Sequence, residues 1–367
     1  MTKAANLASL GSNASTTGIL PIAGGGTAGT NGAIGFKNRI INGGMTIDQR
    51  NAGASFSATN GAYSLDRWQC ISYTGGATTG KYTVQRNAGS VTPPAGFINY
   101  LGVTSTAATS SSATDIYLIV QYIEGFNCAD LGWGTANAQT VTVSFRVRSS
   151  VTGTFGVTAR NDNLDYNYPA TYTINAANTW ETKTITIPGP TSGTWLTNNG
   201  IGIGLLFQLQ VGSSFTAAAN AWTTSGVYGA TGCVNLLNTN GATFYITGVQ
   251  LEVGTTATNF DFRSIGTELQ LCQRYFKWIP SLQGNFVQGM NVFIAGAADS
   301  AKTMRATPTG VLVNGTNGIH VSNVATYNIT SINDINDNYY RVNTNSQPGS
   351  NVPGHYNGNP ISLSAEL

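Results

Sequence analysis

Apolar and polar residues alternate in short bursts through most of this 367-residue chain. The clearest burst is residues 140–148, Thr-Val-Thr-Val-Ser-Phe-Arg-Val-Arg. A period of two places apolar side chains on one face of a β-strand and polar ones on the other. About eight or nine such bursts, separated by clusters of Gly, Asn, Ser and Pro, predict an all-β fold: two antiparallel sheets packed face to face as a jelly-roll β-sandwich. Further bursts lie at residues 82–85, 182–187 and 243–247.

Residues 201–211, Ile-Gly-Ile-Gly-Leu-Leu-Phe-Gln-Leu-Gln-Val, form a longer apolar run. Its length and its two glycines are typical of a strand buried on both faces in its middle. Because this run stops well short of the roughly 20 residues that cross a bilayer, we expect no membrane span. Residues 1–12 lack a charged segment followed by an apolar core, so we also expect no signal peptide and synthesis in a cytoplasm.

The patterns divide the chain into four predicted parts. Residues 1–35 are low in complexity and are predicted to be an extended N-terminal attachment segment. Residues 36–263 carry the jelly-roll sandwich, and residues 264–276 a connector helix. Residues 277–367 return to strand patterning and predict a smaller C-terminal β domain.

Two features concern the segments that flank the predicted sandwich in the chain. The apolar run Ile19, Leu20, Pro21 and Ile22 in the N-terminal segment indicates docking onto a partner. The helix is predicted over residues 266–276, with Thr267 serving its N-terminus. Its apolar face is formed by Leu269, Cys272, Tyr275 and Phe276, which recur at helical spacing.

Composition narrows the range of partners. Only 9% of the residues are charged, and the net charge is +2. Long amphipathic helices need more charge than this, which agrees with an all-β fold. Affinity for nucleic acid needs a phosphate-neutralising surface, so we expect no nucleic-acid partner. A surface of hydroxyls, amides and aromatic rings favours neutral sugars or other protein subunits.

The loop 160–168, Arg-Asn-Asp-Asn-Leu-Asp-Tyr-Asn-Tyr, is the best candidate for local chemistry. Asp162 and Asp165 are its carboxylates, and Tyr166 and Tyr168 flank them. Three interpretations stay open: a plain loop, a contact to carbohydrate or to another subunit, and a cation site or a catalytic pair. For a further set of aromatic residues, both stacking on sugars and ordinary packing remain possible interpretations. They are Trp133, Trp180, Trp195, Trp222 and Tyr228.

Signals for an enzyme are weak. The chain has two histidines, His320 in a predicted strand and His355 in a predicted turn, so a Ser-His-Asp arrangement is not indicated. The four cysteines are widely separated, which gives no metal-ligand spacing and leaves free thiols or one disulfide. We therefore expect no enzymatic activity, no catalytic residues, no metal and no cofactor.

Three stretches resemble proteins of tailed bacteriophages. Residues 248–254, 257–258, 260–263 and 268–275 (Gly-Val-Gln-Leu-Glu-Val-Gly, Ala-Thr, Phe-Asp-Phe-Arg, Glu-Leu-Gln-Leu-Cys-Gln-Arg-Tyr) look like the block that closes a carbohydrate-binding-module-like jelly roll in phage tail proteins. Residues 37–50 and 65–68 are similar to the opening of that module, and residues 18–27 to a glycine-rich leader of fibre proteins.

This resemblance implies a virion structural protein made in the host cytoplasm. It implies a homotrimeric tail fibre that attaches to other virion proteins through Ile19, Leu20, Pro21 and Ile22, and that binds a host-surface glycan. A head-decoration or tail-adaptor protein is the alternative, and a polysaccharide depolymerase using Asp162 or Asp165 is a further one. Within the closing block, Gln250 and Glu252 alternate with apolar residues, which predicts that they face solvent or a neighbouring subunit.

Overall fold

The computed structural model describes residues 37–75, 77–78, 80–279, 283–286, 290, 292–296, 304–306, 308–312, 318–321, 325–333, 339–346, 353–357 and 361–367. The predicted attachment residues 19–22 lie outside these ranges, so their role stays a prediction. Residues Arg39–Leu367 form one compact unit. Its first strands are β1 Phe56–Ser57, β2 Gln69–Thr74, β3 Ala77–Thr78, β4 Tyr82–Arg86, β5 Leu101–Ser105, β6 Ile116–Glu124, β7 Val141–Ser149, β8 Gly153–Arg160, β9 Asn167–Ile174, β10 Glu181–Ile187, β11 Ile201–Val211, β12 Thr216–Ala217, β13 Gly229–Ala230 and β14 Thr243–Val253.

Twelve of these strands form two six-stranded antiparallel sheets, which confirms the predicted all-β sandwich. Sheet A has the order β1-β4-β5-β14-β7-β10, and sheet B has the order β3-β2-β6-β11-β8-β9. The remaining strands, β12 and β13, pair in parallel with each other. Each alternating burst of the sequence lies on a strand, because a strand with one apolar face is stable where a second sheet covers that face.

The core lies between the two sheets and is rich in aromatic rings. Phe145 of sheet A meets Phe207 of sheet B edge to face, with ring centroids 5.3 Å apart. Phe155 stacks on Phe244 at 5.9 Å. Such pairs add to the free energy gained by burying their apolar surface. The central strand β11 has the bounds predicted from its apolar run and is buried on both faces along most of its length.

Strand β14 contains a bulge, and the predicted exposure of its two polar residues is wrong. The register of β14 against β7 shifts between Thr247 and Gln250, where Gly248 adopts φ +60°. The shift turns both Ile246 and Val249 into the core. Gln250 and Glu252 lie on the opposite face, where they are buried instead of facing solvent, and they bond to each other at 2.7 Å (Nε2 to Oε1). Residues 258–261 cover them: the Thr258 N–H donates to Glu252 Oε1 at 2.9 Å, and the Asp261 N–H donates to Gln250 Oε1 at 2.8 Å.

The connector helix is present with a different cap. Helix α1 spans Ile265–Gln273 and begins after Ser264, whose hydroxyl accepts a hydrogen bond from the Thr267 backbone N–H. Thr267 is therefore inside the first turn and not the cap, because only Ser264 has the extended backbone that a cap requires. Among the described helices, none is long and apolar enough to cross a membrane.

The chain beyond the helix is again built of strands. A three-stranded sheet has the order β15-β23-β18, and six further strands close a barrel in the order β16-β17-β21-β20-β19-β22. His355 lies in a strand, not in the predicted turn, because residues 353–357 pair with two neighbouring strands. The division of the chain at residues 263 and 276 stays a prediction. The strands are β15 Phe276–Ile279, β16 Gln283–Phe286, β17 Val292–Gly296, β18 Thr309–Leu312, β19 Gly318–Val321, β20 Ala325–Asn333, β21 Tyr339–Thr344, β22 Pro353–Asn357 and β23 Ile361–Ser364.

A buried ionic cluster joins the C-terminal residues to the sandwich. Glu366 pairs with Arg50 at 2.6 Å and also with Arg67, which is 1% exposed. The Arg67 guanidinium lies 3.6 Å from the ring centroid of Tyr275, and that of Arg50 lies 3.7 Å from Phe276. A guanidinium buried this deeply is stable only with an anionic partner and with stacking.

Replacement of Glu366 by glutamine should lower the free energy of unfolding by about 3–5 kcal/mol, because it leaves buried guanidinium charge uncompensated. Urea unfolding followed by tryptophan fluorescence measures the change. The control is Asp130→Asn, which removes an ion pair to Arg39 whose aspartate is exposed, and it should cost less than about 1 kcal/mol. Equal losses in the two variants would contradict this account of the cluster.

Candidate functional site

Loops from both sheets converge at one end of the sandwich. The loop after β6 meets the segment before β11, where the Gly125 N–H donates to the Gly200 carbonyl at 2.9 Å. The loop between β8 and β9 joins them, because Asn161 Nδ2 donates to the Thr194 carbonyl at 3.1 Å. The segment that follows β12 crosses the edge of sheet B, and Thr223 there forms a bridge with Asn167. Four separate pieces of chain therefore surround one surface.

These loops bring together five aromatic side chains, which we call the end cluster. Trp133 lies 4.7 Å from Trp195 and 5.7 Å from Trp222, measured between ring centroids. Tyr166 and Tyr168 contact Trp222 at 5.8 and 5.2 Å. All four contacts are tilted or edge-to-face, the arrangement that aromatic quadrupoles favour.

The indole rings of the end cluster are held in fixed orientations. The three N–H groups donate to backbone carbonyls: Trp133 to Gln139 at 2.8 Å, Trp222 to Pro188 at 2.9 Å and Trp195 to Ser192 at 3.2 Å. A ring held in this way loses little conformational entropy when a ligand packs against it.

Burial differs across the end cluster. Trp133 and Tyr168 are buried, and burial raises the pKa of the Tyr168 phenol, so that ring is uncharged at neutral pH. Tyr166, Trp195 and Trp222 are half-buried and keep part of their rings in solvent. The outer part of the cluster is therefore an accessible aromatic surface on a buried base.

Gly193 lets its loop pass close to Tyr166. Its backbone has φ +91°, and a Cβ at this position would lie 2.9 Å from two Tyr166 ring atoms. A side chain would be strained by the backbone and would also displace the ring. Glycine at this position is thus a condition for the observed packing of the end cluster.

Carboxylates lie beside the aromatic surface. Asp162 and Asp165 are both exposed. Asp165 Oδ1 accepts a hydrogen bond from Asn161 Nδ2, and the Asp162 carbonyl accepts one from Arg160 at 3.3 Å. Within the described ranges, no group of three His, Cys, Asp or Glu residues could hold a metal ion. What the carboxylates offer here is hydrogen-bond acceptors for hydroxyl or amide groups.

The structure brings two of the predicted site residues, Tyr166 and Tyr168, onto one tryptophan, and places Asp162 and Asp165 on the neighbouring loop. A role for the four residues in binding stays a prediction. The sequence did not reveal that Trp133, Trp195 and Trp222 belong together, because they are far apart in the chain. The available signal was that each of them lies between strand patterns and not within one.

Two other aromatics considered from the sequence lie elsewhere. Trp180 packs against Tyr100, with ring centroids 5.5 Å apart, on sheet A. Tyr228 packs edge to face on Phe215 at 5.6 Å, on the outer side of sheet B. All four cysteines are free thiols, and Cys233 is the one that is half-buried and not buried.

No family model matches this chain, and no curated protein matches it. Among solved structures, the enzymatically active domain of tailspike protein 4 from bacteriophage CBA120 is 14% identical, with a TM-score of 0.31; the match covers 59% of this chain and 22% of the tailspike chain. The family 11 carbohydrate-binding module of the Clostridium thermocellum cellulase Lic26A-Cel5E is 15% identical, with a TM-score of 0.26, and the match covers 57% of this chain and 100% of the module.

The N-terminal cellulose-binding domain of Cellulomonas fimi β-1,4-glucanase C is 12% identical, with a TM-score of 0.25, and the match covers 57% of this chain and 99% of that domain. Structures similar to this chain thus include a phage tailspike domain and carbohydrate-binding modules. At these identities and TM-scores, the likenesses assign no ligand, activity or assembly to this chain.

Replacement of Gly193 by alanine should destabilise the protein by about 2–4 kcal/mol, because left-handed strain and a clash with Tyr166 combine. The control is Gly241→Ala. Gly241 has φ +74°, and a Cβ there would meet no atom within 4 Å, so the variant should cost about 1–2 kcal/mol from backbone strain alone. Urea unfolding measures both. A tryptophan emission shift is expected in the first variant and not in the second, and identical behaviour would contradict the described packing.

Proposed function

We propose that this chain is a non-enzymatic binding protein whose end cluster binds a neutral carbohydrate on a host surface. One observation carries the proposal: the half-buried indoles of Trp195 and Trp222 are fixed by N–H hydrogen bonds, and Tyr166 packs on Trp222. The loop that carries Tyr166 also carries the exposed carboxylates of Asp162 and Asp165.

Sugar rings match such a surface chemically. Their C–H faces are apolar and pack against aromatic rings, while their hydroxyls donate to carboxylate oxygens. Because the indole N–H groups are already bonded within the protein, the rings contribute packing, and the loop carboxylates contribute the polar contacts. This division of roles resembles ligand sites in which a largely apolar wall is combined with a few oriented polar groups.

We further propose that the protein is a structural component of a tailed-phage virion, with a homotrimeric tail fibre as the form. The sequence resemblance supports this assignment. A second support is an exposed apolar patch, in which Phe97, Phe260 and Phe262 lie with ring centroids 4.8 to 5.3 Å apart. Phe262 is 63% exposed, and Ile98, next to Phe97 in the chain, is 75% exposed. Contiguous exposed apolar surface of this kind is typical of subunit contacts.

Trp222→Ala should weaken binding to a neutral glycan by about 10- to 100-fold, since it removes packing surface and loosens the neighbouring rings. A glycan array identifies the ligand, and calorimetry with that glycan measures the affinity. Trp180→Ala is the matched control: it also removes a half-buried tryptophan, but from the sheet A surface, and should leave the affinity unchanged.

Asp162→Asn in the same experiment tests the polar contact with little effect on packing, and should weaken binding by several-fold. Equal loss in the Trp180 and Trp222 variants, or an array without any neutral glycan bound, would contradict the binding proposal. Release of oligosaccharides by the wild-type protein would contradict its non-enzymatic part.

Sedimentation equilibrium should give about three times the chain mass of 38.3 kDa. Phe262→Ser should shift the distribution toward the monomer, because it places a polar group in the apolar patch. Phe126→Ser is the control, since Phe126 is 61% exposed and makes no ring contact with the patch. A clean monomer at high protein concentration would contradict the trimer.

A further inference from the structure

A pocket of about 310 Å³ opens beside the last residues of β11, at the other end of that strand from the end cluster. Gln208 and Val211 form part of its wall, and residues 111–113, 213, 216, 230–233 and 235 supply the rest. None of the described residues that line it is charged. Side-chain hydroxyls contribute much of the lining; they belong to Ser111, Ser112, Ser213, Thr216 and Thr231.

The Gln208 side chain is fixed in the wall of this pocket. It is 2% exposed, and its Oε1 accepts a hydrogen bond from the Ala230 backbone N–H at 3.0 Å. Gly156 and Gly229 pack on the amide so closely that a Cβ on either would lie 2.3 or 2.4 Å from Oε1. The amide group therefore keeps one orientation.

In this orientation the N–H donors of the Gln208 amide remain available to a ligand. With Oε1 bonded to Ala230, the two hydrogens on Gln208 Nε2 are the remaining polar capacity of the amide. No hydrogen bond joins Nε2 to a described residue, and Nε2 is not one of the described side-chain atoms that are both enclosed and unpartnered, so it is open to the pocket. An amide held in one orientation keeps these donors aimed at whatever occupies the pocket. A donor held in this way in the wall of a pocket points to an oxygen-bearing ligand.

We propose that this pocket is a second binding site, separate from the end cluster, for one neutral hydroxylated ring of monosaccharide size. Its volume is near the lower limit of about 300 Å³ for small-molecule sites. Because its walls carry hydroxyls and amides and no described charge, a charged ligand would lose hydration without gaining a counter-ion. Gln208 Nε2 donates to a ligand oxygen, and the serine and threonine hydroxyls bond to the ligand's own hydroxyls.

The Cys233 thiol can report ligand binding in the pocket through its rate of alkylation. Its side chain lines the wall and is half-buried, whereas Cys70, Cys128 and Cys272 are buried. Burial raises the pKa of the Cys233 thiol to about 11. Alkylation of this thiol near neutral pH is therefore slow enough to follow by mass spectrometry. A ligand in the pocket would cover the sulfur and slow the reaction.

The experiment measures iodoacetamide labelling of Cys233 in the full chain with methyl glucoside, methyl galactoside, methyl mannoside or N-acetylglucosamine. Ligands of this size typically have dissociation constants that are roughly millimolar at best. At about ten times such a value, at least one of them should slow labelling by about tenfold. Glucuronate, a charged sugar of the same size, should have little effect. Labelling of buried Cys70 in the same samples reports any global unfolding.

Two variants locate the effect. Ser213→Trp and Thr231→Trp each place an indole in the pocket from a different lining segment and should abolish the slowing by sugar. Ser214→Trp, next in sequence but outside the lining, should preserve it. Trp222→Ala, which alters the end cluster, should also preserve the slowing of Cys233 labelling by sugar. The proposal for the pocket can therefore be tested separately from the proposal for the end cluster.

Three results would overturn the proposal: no slowing by any of the four neutral sugars, equal slowing by glucuronate, or slowing that survives in both pocket-filling variants. A pocket-filling variant in which Cys70 is labelled rapidly is misfolded, and the other pocket-filling variant then decides the outcome.

Discussion

Burial of alternate side chains between the two sheets is the interaction on which the rest of the structure depends. Sheet A contributes Phe145 and Phe244 to the core, and sheet B contributes Phe155 and Phe207. Side chains alternate with a period of two, so a slip of one residue in any central strand would turn its apolar face to solvent. This penalty fixes the register, and the register determines where each strand ends. The converging loops occupy their positions because β6, β8, β9 and β11 end where they do.

The low content of charged residues determines how parts of the fold are attached and what kind of surface remains. Several of the few ionic side chains are used inside the fold: Glu366 binds Arg50 and Arg67, and fully buried Glu124 binds Arg274 and the Tyr275 hydroxyl. These contacts attach the helix and the C-terminal residues to the sandwich. The surface that remains is rich in hydroxyls, amides and rings, and both proposed binding sites use these groups. Binding at the two proposed sites is therefore expected to rest on packing and hydrogen bonds, with little dependence on salt.

The all-β sandwich followed from the sequence because period-two alternation is a local property that survives folding. Strand β11 matched its predicted bounds because a continuous apolar run is also a local property of the sequence. Local patterns misplaced the helix cap and the exposure of Gln250 and Glu252. The face of β14 was predicted correctly, but residues 258–261 fold over that face and bond to both side chains, which the local pattern does not reveal. The end cluster depends on contacts between residues far apart in the chain, so four of its loops had to be placed by the fold before Trp133, Trp195 and Trp222 could be grouped. The domain boundaries and the attachment segment stay predictions.

Hydrogen–deuterium exchange of the intact protein, followed by mass spectrometry, tests the central claim most directly. If one core between two sheets holds the loops in place, the amides of β6, β7, β11 and β14 should exchange last and together, near the rate set by global unfolding. The loops at residues 161–166 and 188–200 should exchange earlier. Exchange of these four strands as rapid as that of the loops, or at rates that differ widely between the two sheets, would contradict a single sandwich core as the basis of the structure.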